Sequence, residues 1–159
     1  MIIATWNVNS IKVRKNLLSK LIDDYLPDVI CLQETKVDNA SFPISFFEKK
    51  GFNCFANGIR SYNGVAILSK KPQKKVFIHN HCDKKDARHI EVEIDGLSIH
   101  SVYVPAGGDE PDTKVNEKFE HKVNFLKELN SFMRKRNNEK IILCGDLNVA
   151  PNPDDVWSH

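Results

Sequence analysis

The chain has 159 residues, 41% hydrophobic and 28% charged, with 23 basic and 21 acidic side chains and a formal net charge of +2. That is ordinary for one globular domain around one core, and no apolar stretch approaches the length of a membrane span. The charge balance is too mild to argue for a nucleic-acid partner by itself. Lys12–Lys15, Lys70–Lys75, Lys84–Arg88 and Arg134–Arg136 are nonetheless local basic clusters, each readable as solvated surface or as part of a phosphate-binding face. The cysteines Cys31, Cys54, Cys82 and Cys144 form no CxxC pair and give no sign of a zinc site. Cys31 and Cys144 fall in apolar runs and read as small buried hydrophobes, which fits a reducing compartment. Met1 leads directly into an apolar run with no room for a signal peptide, so the chain reads as cytoplasmic.

In chain order, Ile2–Asn9 reads as a strand ending in Asn7 and Asn9, two residues apart. Lys12–Asp24 is amphipathic, with Leu17, Leu18, Leu21 and Ile22 at helical spacing. Pro27 precedes a second strand, Asp28–Leu32, which runs into Gln33-Glu34-Thr35-Lys36. Pro43 opens a short helix over Ile44–Lys50, ended by Gly51. Phe52–Ala56 and Val65–Ser69 read as strands around a turn containing Asn57-Gly58. Arg88–Ile94 and Leu97–Val104 flank Asp95-Gly96, a two-residue hairpin signal, and the second of them breaks at Pro105-Ala106-Gly107-Gly108.

Thr113–Arg136 is the longest expected helix, with Val115, Phe119, Val123, Leu126, Leu129 and Met133 as its apolar stripe. Ile141–Cys144 then forms a buried strand that stops at Gly145 and delivers Asp146 and Asn148 to the rim of a sheet. In an extended segment these two side chains point the same way. In open α/β sheets that rim is where ligands bind; read alone, Gly-Asp-x-Asn is equally an ordinary turn. Four apolar strands ending in groups able to bind metal or phosphate are harder to explain as turns. Strands alternating with helices, some adjacent and antiparallel and some separated, imply packed sheets flanked by helices, an α/β class.

WNVNSI at 6–11, LQETK at 32–36, NGVAILSK at 63–70, VYVPAGG at 102–108 and GDLN at 145–148 resemble, in this order, the exonuclease III branch of the apurinic/apyrimidinic (abasic-site) DNA endonucleases, within the metal-dependent endonuclease/exonuclease/phosphatase superfamily. GDLN and the Asn and Glu strand ends occur across the superfamily, whereas QETK and WNVNSI point to its DNA-repair branch. The resemblance implies a four-layer α/β sandwich of two facing mixed sheets flanked by helices, and double-stranded DNA as partner. It implies Mg²⁺, or Mn²⁺, as cofactor. It assigns Glu34 and Asn7 to the metal site, and Asp146 and Asn148 to preparing the attacking water. Tyr103 would contact the phosphate or the leaving oxygen, Arg88 and Lys36 would lie near DNA, and Asn9 would support the metal site from behind.

The residue-level alternatives are a capping Glu34, an Asn7 bonded to nearby backbone, a buried strand tyrosine at 103 and a Lys36 that pairs only with a neighbouring acid. His79, His81, His89, His100 and His121 match no catalytic position of the family and read as surface or packing residues.

Family members continue beyond this length with more strands, another metal-site Asp and an Asp-His pair. Residues 1–159 therefore read as the N-terminal portion of one catalytic domain, nearly inactive alone and self-associating through exposed sheet edges. His159 is not equated with the family histidine. The competing functions are another phosphodiesterase or phosphatase of the superfamily, and a non-catalytic DNA- or partner-binding fragment.

Overall fold

The structure, a computed structural model, describes residues 1–155; the reading of Val156–His159 lies outside them. Eight strands form two four-stranded sheets. In the first, β1 (Ile3–Asn7) runs parallel to β2 (Val29–Gln33), followed by β4 (Tyr62–Ser69) and β3 (Asn53–Ile59) in antiparallel order. In the second, β5 (Lys75–Ile78), β6 (His89–Ile94) and β7 (Leu97–Tyr103) are antiparallel, and β8 (Ile141–Asp146) closes the order parallel to β7. The parallel pairs are bridged by α1 (Ile11–Tyr25) and α3 (Glu117–Arg134), the crossover helices that parallel strands require; α2 (Ile44–Glu48) is short.

Three apolar clusters separate four layers. Ile11, Leu18, Ile22, Phe47 and Phe52 pack on one face of the first sheet with Ile30, Leu32 and Leu68. Val29, Cys31, Val65 and Ile67 meet Ile90, Val92, Ile94 and Ile99 between the sheets. Phe125 and Leu129 of α3 meet Val102 and Val104 on the far side. β2 is buried on both faces, which explains its unbroken apolar run. The four-layer sandwich expected from the sequence is thus observed.

Several local expectations are corrected. The β3–β4 turn falls at Arg60-Ser61, not Asn57-Gly58. Gly58 instead sits at a bulge with its N–H on Asn39 Oδ1 at 2.8 Å, where a Cβ would come within 2.1 Å of the Val37 carbonyl oxygen. β5 was not foreseen, because all four of its residues are exposed and none marks a buried face. Helix α3 starts at Glu117 rather than Thr113, because Asn116 caps it by accepting from the N–H groups of Lys118 and Phe119. Val115 therefore lies before the helix, 73% exposed, while Phe125, outside the expected stripe, is fully buried. Cys31 is buried and Cys144 half-buried, and all four cysteines are free. Among the described residues no helix is long and apolar enough to cross a membrane.

Candidate active site

The two parallel pairs bring the carboxyl ends of β1, β2, β7 and β8 to one rim, the position that the strand order makes a binding crevice. Asn7 ends β1, Gln33 ends β2 with Glu34 next, Tyr103 ends β7 and Asp146 ends β8. Asn7 joins both halves: its Nδ2 donates to Glu34 Oε1 and to Asp146 Oδ2, each at 2.8 Å, across 139 positions of sequence in the second case. The Asn9 N–H fills Asn7 Oδ1 at 3.1 Å, which fixes the amide's orientation. An open cleft of about 630 Å³, lined by Trp6, Asn7, Asp146, Asn148 and Asp155 among others, lies against this rim.

Glu34 is held on a strained backbone. It and Lys36 have positive φ, as do Asn9 and Ser10 facing them. Backbone hydrogen bonds hold this geometry. Ser10 and Ile11 donate to the carbonyls of Glu34 and Thr35, while Thr35 and Lys36 donate to Gly64 and Asn63. Beneath, buried Gln33 donates to Thr5 Oγ1 and, at 3.0 Å, to Ser101 Oγ, tying the two sheets at the floor of the rim.

Lys36 Nζ pairs with Glu34 Oε2 at 2.9 Å and also bonds Asn9 Oδ1. Partial burial raises the Glu34 carboxyl, but hydrogen bonds from Asn7, Lys36 and Tyr103 together outweigh it and hold the group below its ordinary range. Burial first, and the adjoining Glu34 carboxylate second, push the Tyr103 hydroxyl up to about 12, so it stays protonated.

The extended-strand reading of Asn9 and Asn148 fails. Asn9 has φ 42° and lies past the end of β1; Asn148 has φ 49° and lies past β8. The Asn148 backbone N–H donates to Asp146 Oδ1 at 3.0 Å, and its side chain turns away to the Val104 carbonyl at 2.7 Å. Asn148 therefore holds Asp146 through its main chain rather than through its amide. Gly145 carries φ 152°, and a Cβ there would come within 2.0 Å of the Val102 carbonyl oxygen, so only glycine lets β8 lie this close to β7.

Arg88 reaches the rim indirectly. Its Nε pairs with Asp86 at 2.6 Å, Nη1 donates to the Tyr103 carbonyl at 3.2 Å, and the guanidinium stacks 4.7 Å from the Tyr103 ring centroid. Two positioning residues escaped the sequence reading. Gln33 was a polar residue closing a wholly apolar run, which was a legible signal. Lys122 was one of many helix lysines and gave none; its Nζ holds the Asn148 carbonyl at 2.5 Å and the Ala106 carbonyl at 3.2 Å.

The sequence matches the Endonuclease/Exonuclease/phosphatase family over residues 4–159. The chain belongs to this family. Within the endonuclease/exonuclease/phosphatase family it is 30% identical to an exodeoxyribonuclease III of Haemophilus influenzae, over 96% of this chain and 59% of that protein. Its fold is similar to that of an AP endonuclease from Archaeoglobus fulgidus, with a TM-score of 0.88 at 35% identity, covering 99% of this chain and 62% of the other. It is also similar to the 3′ phosphatase NExo from Neisseria in a structure bound to product DNA hairpin, with a TM-score of 0.85 at 32% identity, covering 95% and 59% of the two chains. The chain thus spans about three fifths of the length of these family relatives.

Proposed function

We propose that this chain carries the phosphodiester-cleaving site of a Mg²⁺-dependent DNA-repair nuclease that cuts at abasic sites and removes nucleotides from 3′ ends. The observation that carries the reading is the pair of carboxylates, Glu34 and Asp146, held on one amide at the ends of four strands. The donor set fits a hard divalent cation, Mg²⁺ or Mn²⁺, since converging carboxylate oxygens are its preferred ligands. Glu34 would hold it. Asn7 would join only with its amide turned over, because Nδ2 now faces both carboxylates. Such an ion supplies charge neutralisation at the phosphate.

The chain's own groups do the rest. Asp146, fixed by the Asn148 N–H and by Asn7, orients water or accepts its proton in the cleft. The protonated Tyr103 hydroxyl offers a hydrogen bond to phosphate or leaving oxygen. Arg88 steadies the Tyr103 ring and lends positive charge behind it, and Lys36 partly neutralises Glu34 and lies toward DNA. The partner is double-stranded DNA, the setting the cytoplasm, and the position of β1 and β8 as end strands of their sheets favours self-association.

The test is nicking of an abasic-site duplex by this chain and by Glu34→Ala, with Mg²⁺ and with EDTA. Slow, Mg²⁺-dependent nicking that the variant loses is expected. Cleavage that persists in EDTA, or small phosphate esters turned over in preference to abasic DNA, would refute the proposal.

A further inference from the structure

The outer face of the second sheet carries a polar cluster remote from the cleft. Register places His89 and Glu91 of β6 on the same face as Ser98 and His100 of β7. His79 follows β5 with its N–H on the His89 carbonyl at 3.2 Å. Phe132 of α3 lies over these rings, its centroid 4.6 Å from that of His79, 5.6 Å from that of His89 and 6.1 Å from that of His100. Helix–sheet interfaces ordinarily bury apolar side chains, and three imidazoles here carry a desolvation cost that needs partners.

Counting donors and acceptors sets the tautomers. Arg136 grips both Glu91 oxygens, at 2.7 and 2.8 Å, and Ser98 Oγ donates to Glu91 Oε1. Ser98 then accepts from His100 Nε2–H at 3.2 Å, which leaves the His100 lone pair on Nδ1. His89 Nε2–H donates to that lone pair at 2.9 Å, and His81 Nε2–H donates to His89 Nδ1 at 2.9 Å. Every ring is neutral in this chain of bonds, the form in which imidazole binds metal.

We propose that His79, His89 and His100 form a binding site for a borderline divalent metal ion, Zn²⁺ first among them, separate from the cleft. One ring nitrogen of each lies within 4.8 Å of the others. Zn–N bonds of about 2.0–2.1 Å place tetrahedral ligand atoms roughly 3.3 Å apart, within reach of small side-chain rotations. Entry of the ion breaks the bond between His89 Nε2 and His100 Nδ1, and the proton balance closes without loss. His89 shifts to its Nδ1–H tautomer and donates to His81 Nε2. His81 shifts likewise, and its Nδ1–H faces Glu128 Oε2 at 3.8 Å.

Glu91, 2.6 Å from His79 Nε2 and 4.0 Å from His100 Nδ1, orients His79 in the manner of a carboxylate behind a ligating histidine. Arg136 cancels the Glu91 charge, so affinity should be moderate. Imidazole donors select Zn²⁺, Cu²⁺, Ni²⁺ or Co²⁺ over oxygen-seeking Mg²⁺. A surface cleft lined by His79, His81, Glu128 and Phe132 gives the ion its way in.

The test uses the EDTA-stripped chain in excess Mg²⁺, titrated with Co²⁺ by visible absorption and with Zn²⁺ by calorimetry. Expected are one ion per chain, the spectrum of imidazole-ligated Co²⁺ displaced by Zn²⁺, and unchanged binding in Glu34→Gln. His79→Gln keeps an N–H for Glu91 and should weaken binding about tenfold or more. X-ray absorption on the Zn²⁺-loaded parent should count three imidazoles, a readout independent of how the variant folds. No bound ion, binding lost in Glu34→Gln but kept in His79→Gln, or a spectrum with oxygen ligands only would overturn the proposal.

Discussion

Replacing Asn7 with alanine removes the one amide that lies between Glu34 and Asp146. The two acceptor oxygens each lie 2.8 Å from Asn7 Nδ2, so they are at most about 5.6 Å apart, and at an effective dielectric of about 20 their mutual repulsion is about 3 kcal/mol. Two hydrogen bonds to charged groups go with it, each worth about 1.5–3 kcal/mol when fully shielded. Solvent in the open cleft screens much of this, and a net loss of about 3 kcal/mol at pH 7 in EDTA is expected. The loss should depend on pH. Glu34 titrates below its ordinary value of 4.5 in the folded chain, so it contributes stability above that value and loses it as pH falls through the folded one. Asn7→Ala takes away part of what lowers it. The gap between parent and variant in urea-unfolding free energy should therefore be larger at pH 7 than at pH 3. Mg²⁺ should restore part of the loss at pH 7. An equal loss at both pH values would refute the electrostatic account and leave only lost packing.

Gly145→Ala places a methyl group 2.0 Å from the Val102 carbonyl oxygen; a loss of about 3 kcal/mol or more by thermal unfolding is expected, and an unchanged melting temperature would contradict the close strand approach. Burial chiefly lowers both His89 and His100, helped by neighbouring histidines at His89, which falls to about 2, and by Arg136 and His79 at His100, which falls to about 4. Both lie below the unfolded value of 6.5, so the unfolded chain binds more protons and metal-free stability should fall as pH drops from 6.5 toward 4, with a slope approaching about 2.7 kcal/mol per unit. The paired His89→Leu and His100→Leu variant should flatten that slope, measured by unfolding at successive pH values. Lys122→Met frees the carbonyls of Asn148 and Ala106. Faster amide exchange at residues 147–149 and roughly a 5–30-fold drop in nicking rate are expected, matching a loss of about 1–2 kcal/mol.

Glu34 and Asp146 were legible because the one follows and the other ends a strand with an apolar run; β2 is buried on both faces as its run implies, whereas β8, expected to be buried, is only partly covered, with Leu143 40% exposed. The strand ends show which residues reach the rim, but not the left-handed turns that follow. Asn9 and Asn148 were misread because an i, i+2 spacing assumes extended backbone, and positive φ is invisible until the packing that pays for it is known. The histidine cluster was hidden for a different reason. His-Ile-Glu-Val-Glu-Ile alternates like a half-solvated strand, and nothing in that pattern announces that Phe132 and Arg136 cover the polar side. β5 offered no period at all.

The hydrogen bond from Asn7 to Asp146 also constrains the order of events during synthesis. Asn7 and Glu34 leave the ribosome early, and β1, α1 and β2 can pair as soon as they emerge, since chains begin folding from the N-terminus. Asp146 arrives more than a hundred residues later and finds its place only after α3 has crossed back to β7. A nascent chain stopped short of β8 would display a lone glutamate half-site with its amide unsatisfied on one side. Among the described residues β8 is the last strand in chain order, so the two carboxylates meet on the Asn7 amide only once the second sheet has docked.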